Sequence, residues 1–376
     1  MSESGTNAFK YRGSEHRERQ TAFVERSDVI SQSGARCQRQ SSVLNIIAPY
    51  ILSVSRATDI PAFYSEWFFN RLKEGYCKWK NPFSGKESII SFENVRFIVF
   101  WSKNPASLIP YLDLLKEKNI NFYIQFTLND YEAEKFEPSV PALYERIETF
   151  KIISNKYGKD SVIWRFDPLI LTDKVGIPDL INRIERIGND LQSFTNKLVF
   201  SFADISTYAK VKNRLIQNKI NYREWDKEMM KQLAQELQNL KEKNGWNLEL
   251  AICSEAIDLT SLGIKHNSCV DAVQIAKRAY HDELLMNHLG IKILNITSNL
   301  FGEVIIPENA IRINETTSAI MPVKHKDKGQ RKLCGCIPSK DIGRYDTCPH
   351  QCVYCYANAT QQLTNYKNHN PYAEYI

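Results

Sequence analysis

The chain has 376 residues, 43 % of them hydrophobic, and a formal charge of +6. That supplies the core of one barrel-sized domain or two ordinary ones; the charge falls well short of a dedicated nucleic-acid coat, so an anionic partner is allowed and not demanded. The longest apolar stretches, such as Ser161–Trp164 running on to Leu169–Leu171, are broken by Arg165, Asp167 and Pro168, so no segment reaches the length of a membrane span.

Residues 1–45 are polar, of mixed charge and without sustained periodicity, which reads as a mobile extension. Its opening, Met1-Ser2-Glu3-Ser4-Gly5, lacks the apolar core of a signal peptide, so the expectation is a soluble cytoplasmic protein. Short β-branched or aromatic runs then alternate with amphipathic stretches. Strands are expected at Tyr50–Val54, Arg96–Trp101, Phe122–Leu128, Val162–Phe166, Leu198–Phe202 and Leu248–Ile252. Helices are expected near 61–73, 105–117, 141–155, 177–188 and 224–243, with Pro61, Pro105, Pro141 and Pro178 at first helical positions. Such alternation means parallel strands joined by crossover helices. With six strand–helix units and no Gly-x-Gly-x-x-Gly after the first strand, the fold class is α/β, a (βα)6-type barrel, partial or closed, over residues 46–255.

The expected strand ends carry polar groups. The first runs into Arg56 and Asp59, the second into Lys103, the third contains Gln125, the fourth carries Arg165 and ends at Asp167, the fifth ends at Asp204 and the sixth at Cys253-Ser254-Glu255. In a βα barrel these ends open on one face, where sites are built, so a polar mouth is expected there. Each residue also has a plain structural role: Asp59, Asp167 and Asp204 as helix caps, and Arg165 as a buried partner of Asp59, Asp167 or Glu255.

Residues 256–376 form a cysteine-rich region that holds most of the nine cysteines, which in a reducing compartment point to metal or redox chemistry before disulfides. Cys348, Cys352 and Cys355 lie in one tight segment, spaced C-x-x-x-C-x-x-C, and read as ligands. Three local thiolates with no obvious fourth suit a 4Fe-4S cube with one open iron. Zinc is the rival, with His350 or a distant cysteine completing a tetrahedron. Cys334 and Cys336, two apart, face the same way in an extended segment, and with Cys253 and Cys269 they make the four thiolates of a possible second cluster; the plain alternative is buried small hydrophobes. Cys37 and Cys77 have no partners by spacing. The basic run Lys324–Lys332 reads as a solvated loop before it reads as a phosphate site.

The phrases Ser53-Val54-Ser55-Arg56-x-Thr58-Asp59-Ile60-Pro61, Asn81-Pro82-Phe83, Trp101-Ser102-Lys103-Asn104-Pro105, Trp164-Arg165-Phe166-Asp167-Pro168, Gly329-Gln330-Arg331-x-x-Cys334-x-Cys336 and the tail from Lys340 to Asn358 together resemble a bacterial family known as the domain of unknown function numbered eighteen-forty-eight, over about 50 to 360. The cysteine triplet with Tyr354 before its last thiol resembles the cluster loop of radical S-adenosylmethionine (radical SAM) enzymes and, more loosely, that of spore photoproduct lyase relatives. The resemblance implies a radical SAM-like iron–sulfur protein without an established substrate. It departs from the superfamily in placing the cluster loop at the far end of the chain. Either the barrel is circularly permuted, or six strands form first and the tail folds back over the mouth; the second suits the strand count. The usual glycine-rich motif for the SAM amino group is not found.

The resemblance thus implies reductive cleavage of SAM at a cluster on Cys348, Cys352 and Cys355, with an electron supplied by a reductase or a flavodoxin- or ferredoxin-type donor. Arg56, Asp59, Arg165, Asp167 and Glu255 are the candidate catalytic residues, and Lys103, Gln125, Gln330, Arg331 and Tyr354 the candidate cofactor contacts. The substrate is open and an anionic one, nucleic acid included, is allowed. Two other classes remain: a nucleic-acid-binding or scaffold protein with a structural zinc or closed iron–sulfur site, and a barrel hydrolase using Asp59, Asp167 or Glu255 as acid and base.

Overall fold

The apolar runs pair into one parallel sheet in the structure, a computed structural model that describes residues 45–298, 304–322, 326–358, 366 and 369–376. Cys37 and the expected extension up to residue 44 lie outside the described residues, as do Lys324 and His325 of the basic run. The strands are β1 (Ile51–Val54), β2 (Phe97–Ser102), β3 (Asn121–Thr127), β4 (Val162–Leu169), β5 (Lys197–Phe202), β6 (Glu249–Ile252), β7 (Lys265–His266) and β8 (Lys340–Asp341). Their spatial order is β7-β6-β5-β4-β3-β2-β1-β8, every pairing parallel. The six expected strands are present, and the sheet gains β7 and β8 at its two edges. Among the described residues no pairing joins those edges, so the sheet is open.

This order has a direct physical consequence. From β1 to β7 each new strand is added on the same side, and parallel crossovers are right-handed, so the connecting helices fall on one face. Leu52, Val54, Ile98, Phe100, Ile124, Trp164, Phe200 and Ile252 point to that face and share a core with side chains of α1 (Ile60–Phe63), α2 (Ser65–Glu74), α3 (Leu112–Glu117), α4 (Leu143–Tyr157), α5 (Ile177–Leu191), α6 (Ala209–Gln217) and α7 (Lys227–Lys243). The alternate residues Ile51, Phe97, Val99, Tyr123, Ile163, Val199 and Ala251 face the other way. They are covered by later parts of the chain: α8 (Ala272–Ala279), α9 (Glu283–Leu289), and Ala319, Cys336 and Ile337.

Several expected elements differ in detail. The helix over 61–73 is broken at Tyr64, whose backbone leaves the helical region while its hydroxyl donates to the Thr347 carbonyl at 2.7 Å. The stretch 105–117 starts as a 3-10 turn over Pro105–Tyr111 because Pro110 has no N–H to donate, and turns α-helical only at Leu112. Pro141 precedes its helix instead of opening it; α4 begins at Leu143, and the Pro141 carbonyl accepts Arg146 Nε at 2.9 Å. Antiparallel additions were not expected: the hairpin Tyr76–Lys80 with Glu87–Ser91, a sheet of Lys292–Asn295, Thr317–Ile320 and Ala310–Arg312, and the short pairs Leu171–Thr172 with Tyr222–Arg223 and Thr297–Ser298 with Val304–Ile305. Cys77, in the hairpin, is fully buried in the main core. No described helix is long and apolar enough to cross a membrane.

Gly188 of α5 lies against the Trp246 indole, where a Cβ would meet ring carbons at 2.2 Å. Substituting G188A should therefore overpack this contact and lower stability by about 1–3 kcal/mol, read from the denaturant midpoint. An unchanged midpoint would mean that the tryptophan moves aside freely.

Candidate functional site

Strand alternation carries polar groups onto the inward face as it approaches the C-terminal ends. After Val99, Tyr123, Ile163, Val199 and Ala251 the next inward positions are Trp101, Gln125, Arg165, Ser201 and Cys253. Arg165 donates to Gln125 Oε1 at 3.1 Å, to Cys269 Sγ at 3.1 Å and to Asp167. Asp167 in turn accepts from Ser201 Oγ. Burial works against the Arg165 charge, but Cys269 and Asp167 outweigh it and hold the guanidinium well above its ordinary pKa. Arg56, half-buried, lies over the Trp101 ring with its guanidinium carbon 4.7 Å from the centroid. Its Nη2 is buried with no hydrogen-bond partner.

Four thiols gather beside these two arginines. Cys253 and Cys269 are 3.4 Å apart at sulfur, and Cys336 and Cys334 lie near enough to bias the protonation of Cys269 and of each other. Hydrogen bonds from Cys253 and Cys336, then the two arginines, hold Cys269 well below the ordinary thiol value, and the bond from Cys336 lowers Cys334 to about 6. The backbone amides of Cys269 and Val270 donate to Cys336 Sγ at 3.2 and 3.3 Å. Gly335 permits the close approach, since a Cβ there would meet Ser268 Oγ at 2.6 Å.

The triplet loop lies at the rim of the same end of the sheet. β8 brings the tail alongside β1, where Asp341 accepts from Ser53 Oγ, Ser55 Oγ and the Arg56 amide, each at 2.8 Å. Gly343 follows, so close that a Cβ would meet Ser55 Oγ at 1.8 Å. The loop itself is clamped by Arg214 of α6, which donates to the carbonyls of Cys352 (3.2 Å), Val353 (3.4 Å), Cys355 (2.8 Å) and Asn358. Asn358 returns a bond to the Cys348 carbonyl at 2.6 Å. Burial pushes the Cys348 thiol up to about 12, with Asp59 and Cys355 adding to it, and burial likewise pushes Cys352 well above the ordinary value. Such thiols become thiolates only with a cation to balance them, and that is the condition a metal centre meets.

His350, the weighed fourth ligand, is committed elsewhere: Nε2 lies 2.8 Å from Asp59 Oδ2 and Nδ1 3.2 Å from the Ser139 carbonyl. Tyr354 reaches inward to Glu137, Lys103 (2.9 Å) and Asn129 (3.1 Å). Among the described residues no group of three or more His, Cys, Asp or Glu side chains is arranged to hold a metal ion as it stands.

The expected mouth residues fall into two neighbourhoods. Arg56, Gln125, Arg165 and Asp167 surround the four thiols, with Glu255 accepting from the Phe202 amide at 3.1 Å near Asp167 and Arg331. Asp59, Lys103 and Tyr354 belong to the triplet loop. Asp59 caps α1 through the Ala62 amide, as its helix-start position suggests, and also accepts from Ser102 Oγ and the Lys103 amide. Asp167 and Asp204 do not cap helices: β4 continues past Asp167, and Asp204 binds the Thr207 amide of a turn ahead of α6. Gln330 donates to Asp327 Oδ2 at 3.4 Å. Sequence reading missed Glu137, Asn129, Arg146, Arg214 and Asp341. Glu137 and Arg214 sit in loop and helix surroundings of ordinary composition, and only the returning tail gives them a role. Asp341 was legible only as a residue of the tail phrase.

A family model described as "Domain of unknown function (DUF1848)" matches residues 51–357, and the chain belongs to that family, as the phrases between Ser53 and Asn358 indicate. No curated protein and no solved structure matches it.

Replacing Arg214 by glutamine should loosen the triplet loop. A hydrogen bond from a charged donor contributes about 1.5–3 kcal/mol, so stability falls by at least that order, and amides 348–358 lose protection in hydrogen exchange. Unchanged protection would remove the clamp. Glu137 makes the second test. Burial opposes its charge, yet Lys103 at 2.8 Å and Arg146 hold its carboxyl below the ordinary glutamate range. E137Q should cost about 3–5 kcal/mol at neutral pH by leaving two buried cations uncompensated. A depressed carboxylate stabilises above its unfolded pKa, so the gap between wild type and variant should narrow as pH falls below about 4.5. A pH-independent gap would contradict the ion-pair account.

Proposed function

We propose that this member of the family is a radical SAM-type enzyme whose 4Fe-4S cluster is held by Cys348, Cys352 and Cys355. One observation carries the reading: three thiols of a single clamped loop, Cys352 buried and Cys348 and Cys355 half-buried, lie at the C-terminal rim of a parallel sheet, and the imidazole nearest in sequence has both nitrogens engaged by oxygen acceptors. Three ligands suit a cluster with one open iron, where SAM would chelate. The one-way strand order, with crossover helices on one face, supports a partial barrel of the radical SAM kind, with the tail folding back over its mouth in place of an N-terminal cluster loop. Cys348, Cys352 and Cys355 would hold the cluster, which would supply one electron for cleaving the sulfur–C5′ bond of SAM to methionine and a 5′-deoxyadenosyl radical, with a flavodoxin- or ferredoxin-type donor providing that electron.

The residues of the chain then have definite tasks. Arg214 and Asn358 fix the loop backbone, so the three thiols keep their spacing through turnover. The Lys103–Glu137–Tyr354 set ties the loop to the ends of β2 and β3 and keeps water from the inner side. Arg331, beside Tyr208, Tyr356 and Asp167, is placed to meet an anionic group of SAM or substrate. Burial lifts Glu255 to about 7, which lets it hold a proton or release it near neutrality.

Anaerobically reconstituted protein should be brown, contain iron and acid-labile sulfide, and release 5′-deoxyadenosine from SAM after reduction, slowly and without substrate. Alanine at Cys348, Cys352 or Cys355 should each abolish that product and the SAM-induced change in the paramagnetic spectrum. Wild-type protein that shows neither the product nor the spectral change would leave a structural or electron-transfer centre as the better reading.

A further inference from the structure

Cys253, Cys269, Cys334 and Cys336 take no part in that chemistry, yet they are the most elaborately assembled group in the molecule. Three separate segments deliver them: the end of β6, the turn after β7 and the stretch ahead of β8. Isolated buried cysteines behave as small hydrophobes, but these contact one another, at 3.4 Å between Cys253 and Cys269. Their sulfurs also collect donors. Cys336 accepts from two backbone amides at 3.2 and 3.3 Å, and Cys269 accepts from Arg165 Nη1 at 3.1 Å and Asn267 Nδ2 at 3.4 Å. Neutral thiols are weak acceptors, whereas thiolates call for such donors.

Charge supplies the second, independent observation. Arg165 has Asp167 in an ion pair, but Arg56 beside the thiols has a buried Nη2 with no hydrogen-bond partner, and Asp341, whose charge favours Arg56, spends its own hydrogen bonds on Ser53, Ser55 and the Arg56 amide. A buried charged donor left without an acceptor is costly, so the geometry calls for an acceptor, and negative charge, among these sulfurs.

We propose that the four cysteines form a second, closed metal centre of four thiolates, separate from the triplet and independent of the reading given to it. The shared chemistry is a four-thiolate complex of charge about −2, either a 4Fe-4S cube or a zinc ion, facing Arg56 and Arg165. Loading releases the thiol protons and exchanges thiol–thiol hydrogen bonds for metal–sulfur bonds, with the sulfurs reaching a common centre by side-chain rotation. Gly335 serves the site by letting 334–336 approach Ser268.

The test uses the full chain with Cys348, Cys352 and Cys355 all replaced by alanine, so that failure of the triplet reading cannot decide the result. One portion is loaded anaerobically with ferrous iron and sulfide and another with zinc, and bound metal is counted after desalting. The expected result is one cube or one zinc per chain, lost on adding C269S and C336S. No retained metal in a variant whose circular dichroism matches wild type, or equal retention with and without C269S and C336S, overturns the proposal. Native mass spectrometry of the unsubstituted, loaded chain checks it without any variant: metal confined to the triplet, or a Cys253–Cys269 disulfide formed in its place, likewise overturns it.

Discussion

A parallel sheet wound in one direction cannot cover both of its own faces. Right-handed crossovers send every connecting helix from α1 to α7 to the same side, and the inward residues from Ile51 to Ala251 are left for something else to bury. The chain meets this constraint with its last third. The segment that follows β6 crosses the inward face, and the stretch from Cys334 onward returns to pair with β1. All seven cysteines from Cys253 to Cys355 travel on these covering segments or at the strand end they meet, so the chemistry of the protein is a consequence of how its sheet is closed off from water.

Holding the covering segments is the work of buried charge. Asp341 fixes the tail to β1, Asp59 fixes His350 while capping α1, Arg214 gathers four loop carbonyls, and Glu137 joins Lys103 to Tyr354. Each contact is expensive to break, because the partner left behind is a charge or a carbonyl out of reach of solvent. An apolar seal would also cover the sheet, but it would not hold a loop of three thiols in one conformation. The polar anchors favour a single arrangement of the loop over greater stability.

Much of the architecture follows from local pattern. β-branched runs marked the six central strands to within one residue, except that β4 runs three residues past the expected Phe166, and the proline and aspartate signals placed the starts of α1 and α5. The discrepancies have local causes that depend on distant groups: Tyr64 breaks a helix because its hydroxyl meets Thr347, and Asp204 caps a turn because α6 starts later than its position suggests. β7 and β8 are two residues each and carry no periodicity to read; only a neighbouring strand makes them part of a sheet.

By itself the sequence determined where the six central strands lie, because short β-branched and aromatic runs between helical stretches suit a sheet buried on both faces, and it placed Cys348, Cys352 and Cys355 within one short loop. Only the tertiary structure decided that Cys253, Cys269, Cys334 and Cys336 meet, that Arg56 and Arg165 flank them, and that Arg214 and Glu137 serve the triplet loop. Apart from Cys334 and Cys336, whose spacing pairs them locally, these groups are separated by tens to hundreds of positions, and no local pattern places the arginines or Glu137 beside the cysteines. Their meeting is set by the order of the strands and the path of the tail across the uncovered face.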